Sequence, residues 1–349
     1  MINFIQQIGI GVFDIDSAFR WIRIKFRMDI PIFNDKGEPV HMIRHTGGHL
    51  QKRHAILAAS LQGGSGFEIW QYTSRMPEPP VFPVKIGDLG ILIAKIKAHD
   101  IQSAFSTFKE RGIQILGCIS KDPADRDHFF IKDPFGNIFQ IIRDEHRFSR
   151  EKWVTGGVCG CIIGVSDIEK SLPLYKDILG YDKVLYNKTE SFEDLGPLPG
   201  GKEKIKRVLL TTTREPKGAF SRLVGPSQIE LVQMLKNKPR KIFDDRFWGD
   251  LGFIHLCFDV HDMMGLEKEC AQKGFPFTVD SPDPFNMGGV ECHFSYIEDP
   301  DGTLIEFVET YKIPTVKKLG WYLDLKKRDP EKPLPNWMIK LLSLSRVKD

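Results

Sequence analysis

The chain has 349 residues, 41% of them apolar and 27% charged, with a net charge of +3 at pH 7. That balance excludes a disordered chain and leaves room for two domains of ordinary size, each with its own core. No apolar run is long enough to span a membrane, and the opening MINFIQQIGIGVFDID lacks the basic and apolar blocks of a secretory leader. The expectation is a soluble cytoplasmic protein that binds neither membrane nor nucleic acid.

Taken in chain order, four segments open alike. QQIGIGVFDIDSAF (6–19), DLGILIAKIKAHDIQSAF (88–105), VCGCIIGVSDIEKSL (158–172) and FIHLCFDVHDMMGL (253–266) each read as a strand that ends at an Asp. Asp14, Asp100, Asp167 and Asp262 can each accept backbone N–H bonds at a helix start, which predicts helices over 14–28, 100–111, 167–179 and 262–273. Seven residues before each Asp stand Gln7, Ile93, Gly160 and His255.

Four strand-like segments close the units: GFEIWQY (66–72), GNIFQIIR (136–143), SQIELVQM (227–234) and GTLIEFVET (302–310). Each holds one polar residue among apolar ones, namely Glu68, Gln140, Glu230 and Glu306. Opening and closing marks lie 61, 47, 70 and 51 residues apart, so long and short units alternate. This is a tandem repeat of a pair. The short units share a turn, Asp133-Pro-Phe-Gly136 and Asp299-Pro-Asp-Gly302, into the last strand. Segments 74–83, 143–153 and 235–248 read as linkers.

Other features carry less. The six cysteines fit no metal clip, and Cys159 and Cys161 share a strand face; reduced core thiols are expected. Gly63-Gly64-Ser65-Gly66 lacks the Lys-Ser/Thr of a phosphate loop and reads as a hairpin turn. His41, His45, His49 and His54 read as a solvated loop, or as a binder of an anionic group. Residues 311–349 hold ten Lys/Arg against four Asp/Glu. This tail reads as a wrapping segment docked by Trp321, Tyr322, Trp337, Met338, Leu341, Leu342 and Leu344, with a short amphipathic helix over 335–347.

Over residues 2–310 the chain resembles the vicinal oxygen chelate superfamily, the group of glyoxalase I, methylmalonyl-CoA epimerase, extradiol dioxygenases and bleomycin resistance proteins. The resemblance rests on the repeated βαβββ unit, the stretch SLPLYKDILGY (171–181), the two Asp-Pro-x-Gly turns and the polar residue of each closing strand. It implies an α+β fold in which four βαβββ modules pair into two half-open sheet cups. Residues 1–150 would hold modules one and two, 151–310 modules three and four, and 311–349 a basic C-terminal extension.

In that family the opening and closing strands of each module offer one metal ligand apiece. If neighbours pair, the cups hold Gln7, Glu68 and Gln140, and Glu230, His255 and Glu306. If module one pairs with module four, as in fused glyoxalase I enzymes, one cup holds Gln7, Glu68, His255 and Glu306, the glyoxalase I-like set. The other would then hold Ile93, Gln140, Gly160 and Glu230 and grip a metal poorly. The second pairing is the expectation.

The resemblance then implies one divalent ion (Zn, Ni, Co, Mn or Fe) and a glyoxalase/epimerase-type lyase or isomerase working through a metal-bound enediolate. Its substrate would be a small carbonyl molecule. Glu306 would be the base, with Glu68 serving the opposite face. Glutathione-using members carry an Arg and an Asn where this chain has Gly11 and Tyr72, which counts against a glutathione conjugate. Two alternatives stand: an Fe(II) extradiol-type dioxygenase, and a non-catalytic small-molecule binding or resistance protein. A monomer or homodimer is expected. His293, one strand before Glu306, is a further cup-lining candidate, although His128 near the matching place of module two points instead to a feature of the short module.

Overall fold

The computed structural model describes residues 1–316 and 320–347, and the four repeats fold as four βαβββ modules. Their helices begin where the aspartates predict. Asp14 accepts from the N–H groups of Asp16 and Ser17, Asp100 from Ser103, Asp167 from Glu169 and Lys170, and Asp262 from Gly265. Each carboxylate satisfies donors that have no intrahelical acceptor, a contribution of about 1 kcal/mol per cap.

Three helices, Ile15–Phe26, Ile101–Glu110 and Met263–Gln272, match the expected spans closely. The third module departs from its prediction. An α-helix over Ile168–Leu172 gives way to a π-helical turn over Pro173–Ile178. Pro173 has no N–H to offer the ladder, and the Leu179 N–H reaches back five residues to the Leu174 carbonyl at 3.0 Å.

The modules pair as outer with outer and inner with inner. The first sheet runs Val279–Asp280, Val290–Glu298, Leu304–Val316, Gly252–Val260, Ile2–Gly11, Gly66–Tyr72, Arg53–Ala59, Ile30–Gly37, with Phe285–Met287 and Trp321–Asp324 at its flank. The second runs Lys183–Ser191, Lys204–Thr211, Gln228–Met234, Thr155–Gly164, Gly90–Ala98, Ile138–Arg143, Asp127–Lys132, Gln114–Lys121. Within every module the opening and closing strands are parallel neighbours. At the centre of each sheet two opening strands meet antiparallel. Each cup therefore takes one module from each half of the chain.

Strand alternation sorts side chains to two faces. Ile8, Phe67, Leu256 and Ile305 join the main core, which packs the helices between the sheets. Their neighbours Gln7, Glu68, His255 and Glu306 face the outer cup. The rings of Trp21 and Phe139 stack at 6.0 Å and join module one's helix to module two's closing strand. All six cysteines are free thiols, and five are buried.

The glycine loop before Gly66 is indeed a turn, but its glycines serve the junction of the sheets. A β-carbon on Gly64 would lie 2.7 Å from the Gly157 backbone, and Ser65 bridges Val158. The C-terminal segment does wrap the body, with Leu334, Ile339 and Leu342 buried against Ile30, Leu61 and Leu223. The expected helix is shorter, an α-turn over Asn336–Lys340 followed by a 3-10 turn over Leu341–Ser345. The docking list is corrected as well: Trp321, Tyr322, Trp337 and Leu344 are exposed, so only part of that apolar set packs. Residues 317–319 and 348–349, which carry part of the tail's basic surplus, lie outside the described residues.

Candidate metal centre

The outer cup gathers four polar side chains on its buried floor. Gln7 comes from module one's opening strand, Glu68 from its closing strand, and His255 and Glu306 from the matching strands of module four. Nε2 of His255 lies 3.2 Å from Oε2 of Glu68 and 3.2 Å from Oε2 of Glu306. Gln7 donates from Nε2 to the same Glu68 oxygen at 3.2 Å. Donor atoms of Glu68, His255 and Glu306 all fall within 4.8 Å of one another.

Electrostatics makes this group unusual. Two carboxyl groups and one imidazole are buried side by side. Burial by itself would depress the His255 imidazole, yet Glu306 and Glu68 outweigh it and hold the ring above its ordinary range. Burial pushes the Glu306 carboxyl up, against the pull of His255. Oε1 of Gln7, Nε2 of His255 and Oε2 of Glu306 are buried with no well-aligned hydrogen bond, the last two facing each other at 3.2 Å. Native interiors rarely leave three such atoms unsatisfied, and a divalent cation among mixed oxygen and nitrogen donors would satisfy all three. The residues present fit such an ion.

Neighbours hold the floor in shape. The Tyr296 hydroxyl donates to Oε1 of Glu306 at 2.7 Å. Trp248 stacks on the His255 ring, at 6.2 Å and 17°, and its Nε1–H donates to Nδ1 at 3.4 Å. Sequence reading missed both. Tyr296 stands directly opposite Glu306 in the strand pairing, a place only the register reveals. Trp248 lies in a segment read as a linker, and nothing in its spacing points to the cup.

Gly11 and Tyr72 have packing roles. A β-carbon on Gly11 would lie 1.9 Å from the Asp250 carbonyl oxygen, so no side chain fits there. The buried Tyr72 hydroxyl donates to the Trp248 carbonyl. Both positions seat the segment that carries Trp248.

The inner cup is different. Lys95 donates to Oε2 of Glu230 at 2.6 Å, Tyr186 donates to Oε1 at 2.8 Å, and the Arg207 guanidinium donates to the same Oε1. Arg207 also bridges Asp194 at 2.9 Å, and His128 sits 3.4 Å from that aspartate. Burial would raise the Glu230 carboxyl, but Arg207 and Lys95 hold it well below the ordinary carboxylate range. Ile93 joins the apolar packing under Phe192, Leu195 and Leu198. Gly160 offers no ligand, and Gln140 is buried with its amide unpartnered. This cup already supplies its own cations.

The remaining histidines stay off the floor. His293 pairs with Asp280 at 2.7 Å rather than lining the cup. His41 packs edge-on against Phe285 and Phe294, His45 stands 4.0 Å from Glu298, and His54 bonds Asn34 at 2.7 Å. They form no common centre.

Residues 158–307 match the model of the Glyoxalase/Bleomycin resistance protein/Dioxygenase superfamily. The chain matches no curated protein sequence. In fold it is similar to glyoxalase I from Zea mays, with 14% identity and a TM-score of 0.56, over 88% of this chain and 92% of that one. It is also similar to a putative dioxygenase from Bacillus subtilis, with 10% identity and a TM-score of 0.59, over 88% and 85%. By that sequence match modules three and four belong to the glyoxalase/bleomycin resistance protein/dioxygenase superfamily, and modules one and two repeat their fold.

Proposed function

We propose that this protein is a metal-dependent lyase or isomerase of the glyoxalase/epimerase type, acting on a small carbonyl compound. The observation that carries the reading is the convergence of Gln7, Glu68, His255 and Glu306 with three of their donor atoms lacking a well-aligned hydrogen bond. Those four residues would hold one divalent ion. Bound there, such an ion supplies Lewis-acid polarisation of a substrate carbonyl.

The chain's own groups supply the proton traffic. Glu306, raised by burial, has a carboxyl suited to take the proton from the carbon beside the carbonyl and return it to the neighbouring atom. The Tyr296 hydroxyl fixes Oε1 of Glu306, and Oε2 lies on the floor beside His255. Glu68 lies across the floor and can serve the opposite face. The site has one histidine and two carboxylates, where a facial-triad Fe(II) oxygenase uses two histidines and one carboxylate.

Metal content tests the reading. One divalent ion per chain is expected in the purified protein, with loss in His255→Ala and in Glu306→Ala. Undiminished metal in both variants would overturn the assignment. A second readout is exchange of the substrate's α-proton in deuterium oxide, which should fall by about a hundredfold or more in Glu306→Gln.

A further inference from the structure

Above the polar floor the outer cup opens into an apolar chamber of about 130 Å³, similar in size to a protein cavity that holds benzene. Its walls come from three modules. Phe33 and Leu57 belong to module one, Phe294 and Val308 to module four, and Phe220 to module three. Leu342 of the C-terminal extension closes over them, packed on Ile30 and Leu223.

The roof is stitched down along its length. The Leu334 N–H donates to the Ala219 carbonyl and the Val347 N–H to the Asp29 carbonyl, each at 2.9 Å. Arg346 pairs with Glu151 at 2.9 Å. The extension thus forms a built wall of the chamber.

The charge of the lining is one-sided. Among the described residues, no Lys, Arg or His lines this chamber, and its polar members are neutral side chains and the Glu306 carboxylate. A ligand bearing phosphate or carboxylate in its body would lose its hydration with no cation to replace it, beside a buried glutamate. An uncharged aromatic or branched aliphatic group would bury its surface against Phe, Leu and Val side chains.

We propose that the chamber takes the body of the substrate as a single uncharged ring or branched aliphatic group, seated under the C-terminal extension. That the carbonyl end reaches the floor rests on the metal-centre reading above. The preference for an uncharged apolar body rests on the chamber alone.

The test uses the full chain as purified. Binding of α-hydroxyacetophenone carrying a 4-methyl group, and of its counterpart carrying a 4-carboxylate, is measured by titration calorimetry; the two share the same oxygens and differ in the charge of the body. The neutral ketone should bind at least tenfold more tightly. Ala59→Phe, which fills the chamber wall, and Ser345→Trp, which fills it from the roof, should each weaken ketone binding at least tenfold while metal content stays that of the wild type. Ser345 is only half-buried, so that variant keeps the test sound if Ala59→Phe fails to fold. Equal or tighter binding of the ring carboxylate, no ketone binding, or ketone binding unmoved by the roof substitution would overturn the proposal. Failure of the metal reading would show separately, as unchanged metal in His255→Ala and Glu306→Ala.

Discussion

Gly9 and His255 stand opposite each other where modules one and four join, and the imidazole fills the space a side chain on Gly9 would need. A β-carbon there would lie 2.4 Å from Cε1 of His255. The strand pairing thus places the histidine and leaves it room. Gly9→Ala should push the ring off the floor while the sheet persists. Metal affinity is expected to fall roughly ten- to a hundredfold, the range seen when support of a ligand is lost. Competition against a chromogenic chelator, with circular dichroism to follow the fold, would show it. Wild-type affinity would mean the ring has other room.

The inner cup should respond in the opposite sense. Glu230 pairs with Lys95 and Arg207 in full burial, and Arg207 keeps Asp194, so Glu230→Gln strands Lys95. Removing one partner of a buried pair costs about 3–5 kcal/mol. Denaturant midpoints should fall accordingly, with metal content unchanged. Loss of metal in this variant would show that the inner cup also holds an ion.

Asp259 supplies a pH signature. It accepts from Nδ2 of Asn3 at 2.8 Å, and burial pushes its carboxyl up to about 7, against the hydrogen bonds from Asn3 and Gln6. In the unfolded chain an aspartate titrates near about 3.9. The folded state therefore keeps a proton that the unfolded state loses between those values. The stability this group contributes is present in full below pH 4 and is lost as pH rises through 7, by at most about 1.4 kcal/mol per unit. Asp259→Asn mimics the protonated form and should flatten that slope. Urea midpoints from pH 4.5 to 7.5 check it, and a slope parallel to the wild type would refute the assignment.

The roof can be weighed directly. Leu342 is buried among Ile30, Leu223 and Ile339. Leu342→Ala should cost about 2–5 kcal/mol if the site cannot collapse. A loss below 0.5 kcal/mol, roughly the ceiling for a surface change, would mean the extension is not packed as described. Guanidinium unfolding, followed through tryptophan fluorescence, reads the difference.

The features legible in the sequence share a physical character: their causes are local. The four aspartates cap helices through N–H groups two or three residues away. Asp133 and Asp299 each accept from N–H groups two and four residues on, which is why the same turn was visible twice. Alternation along each strand put Gln7, Glu68, His255 and Glu306 on one kind of face.

What sequence alone determined is therefore the repeat, the module fold and the four candidate ligands. Which modules pair was an expectation drawn from the resemblance and not from the residues, since a ladder between residues 2–11 and 252–260 depends on chain segments some 250 residues apart. Only the tertiary structure decided that, and with it the company each polar residue keeps. Glu68 and Glu306 meet one histidine and donor atoms that lack a well-aligned hydrogen bond. Glu230, at the same repeat position, meets Lys95 and Arg207 from strands whose side chains carry no mark of their target. Trp248 and Leu342 reach the cup from outside the repeat, so no periodicity could signal them. Periodicity reports which way a side chain faces; what stands across from it depends on the folding of the whole chain.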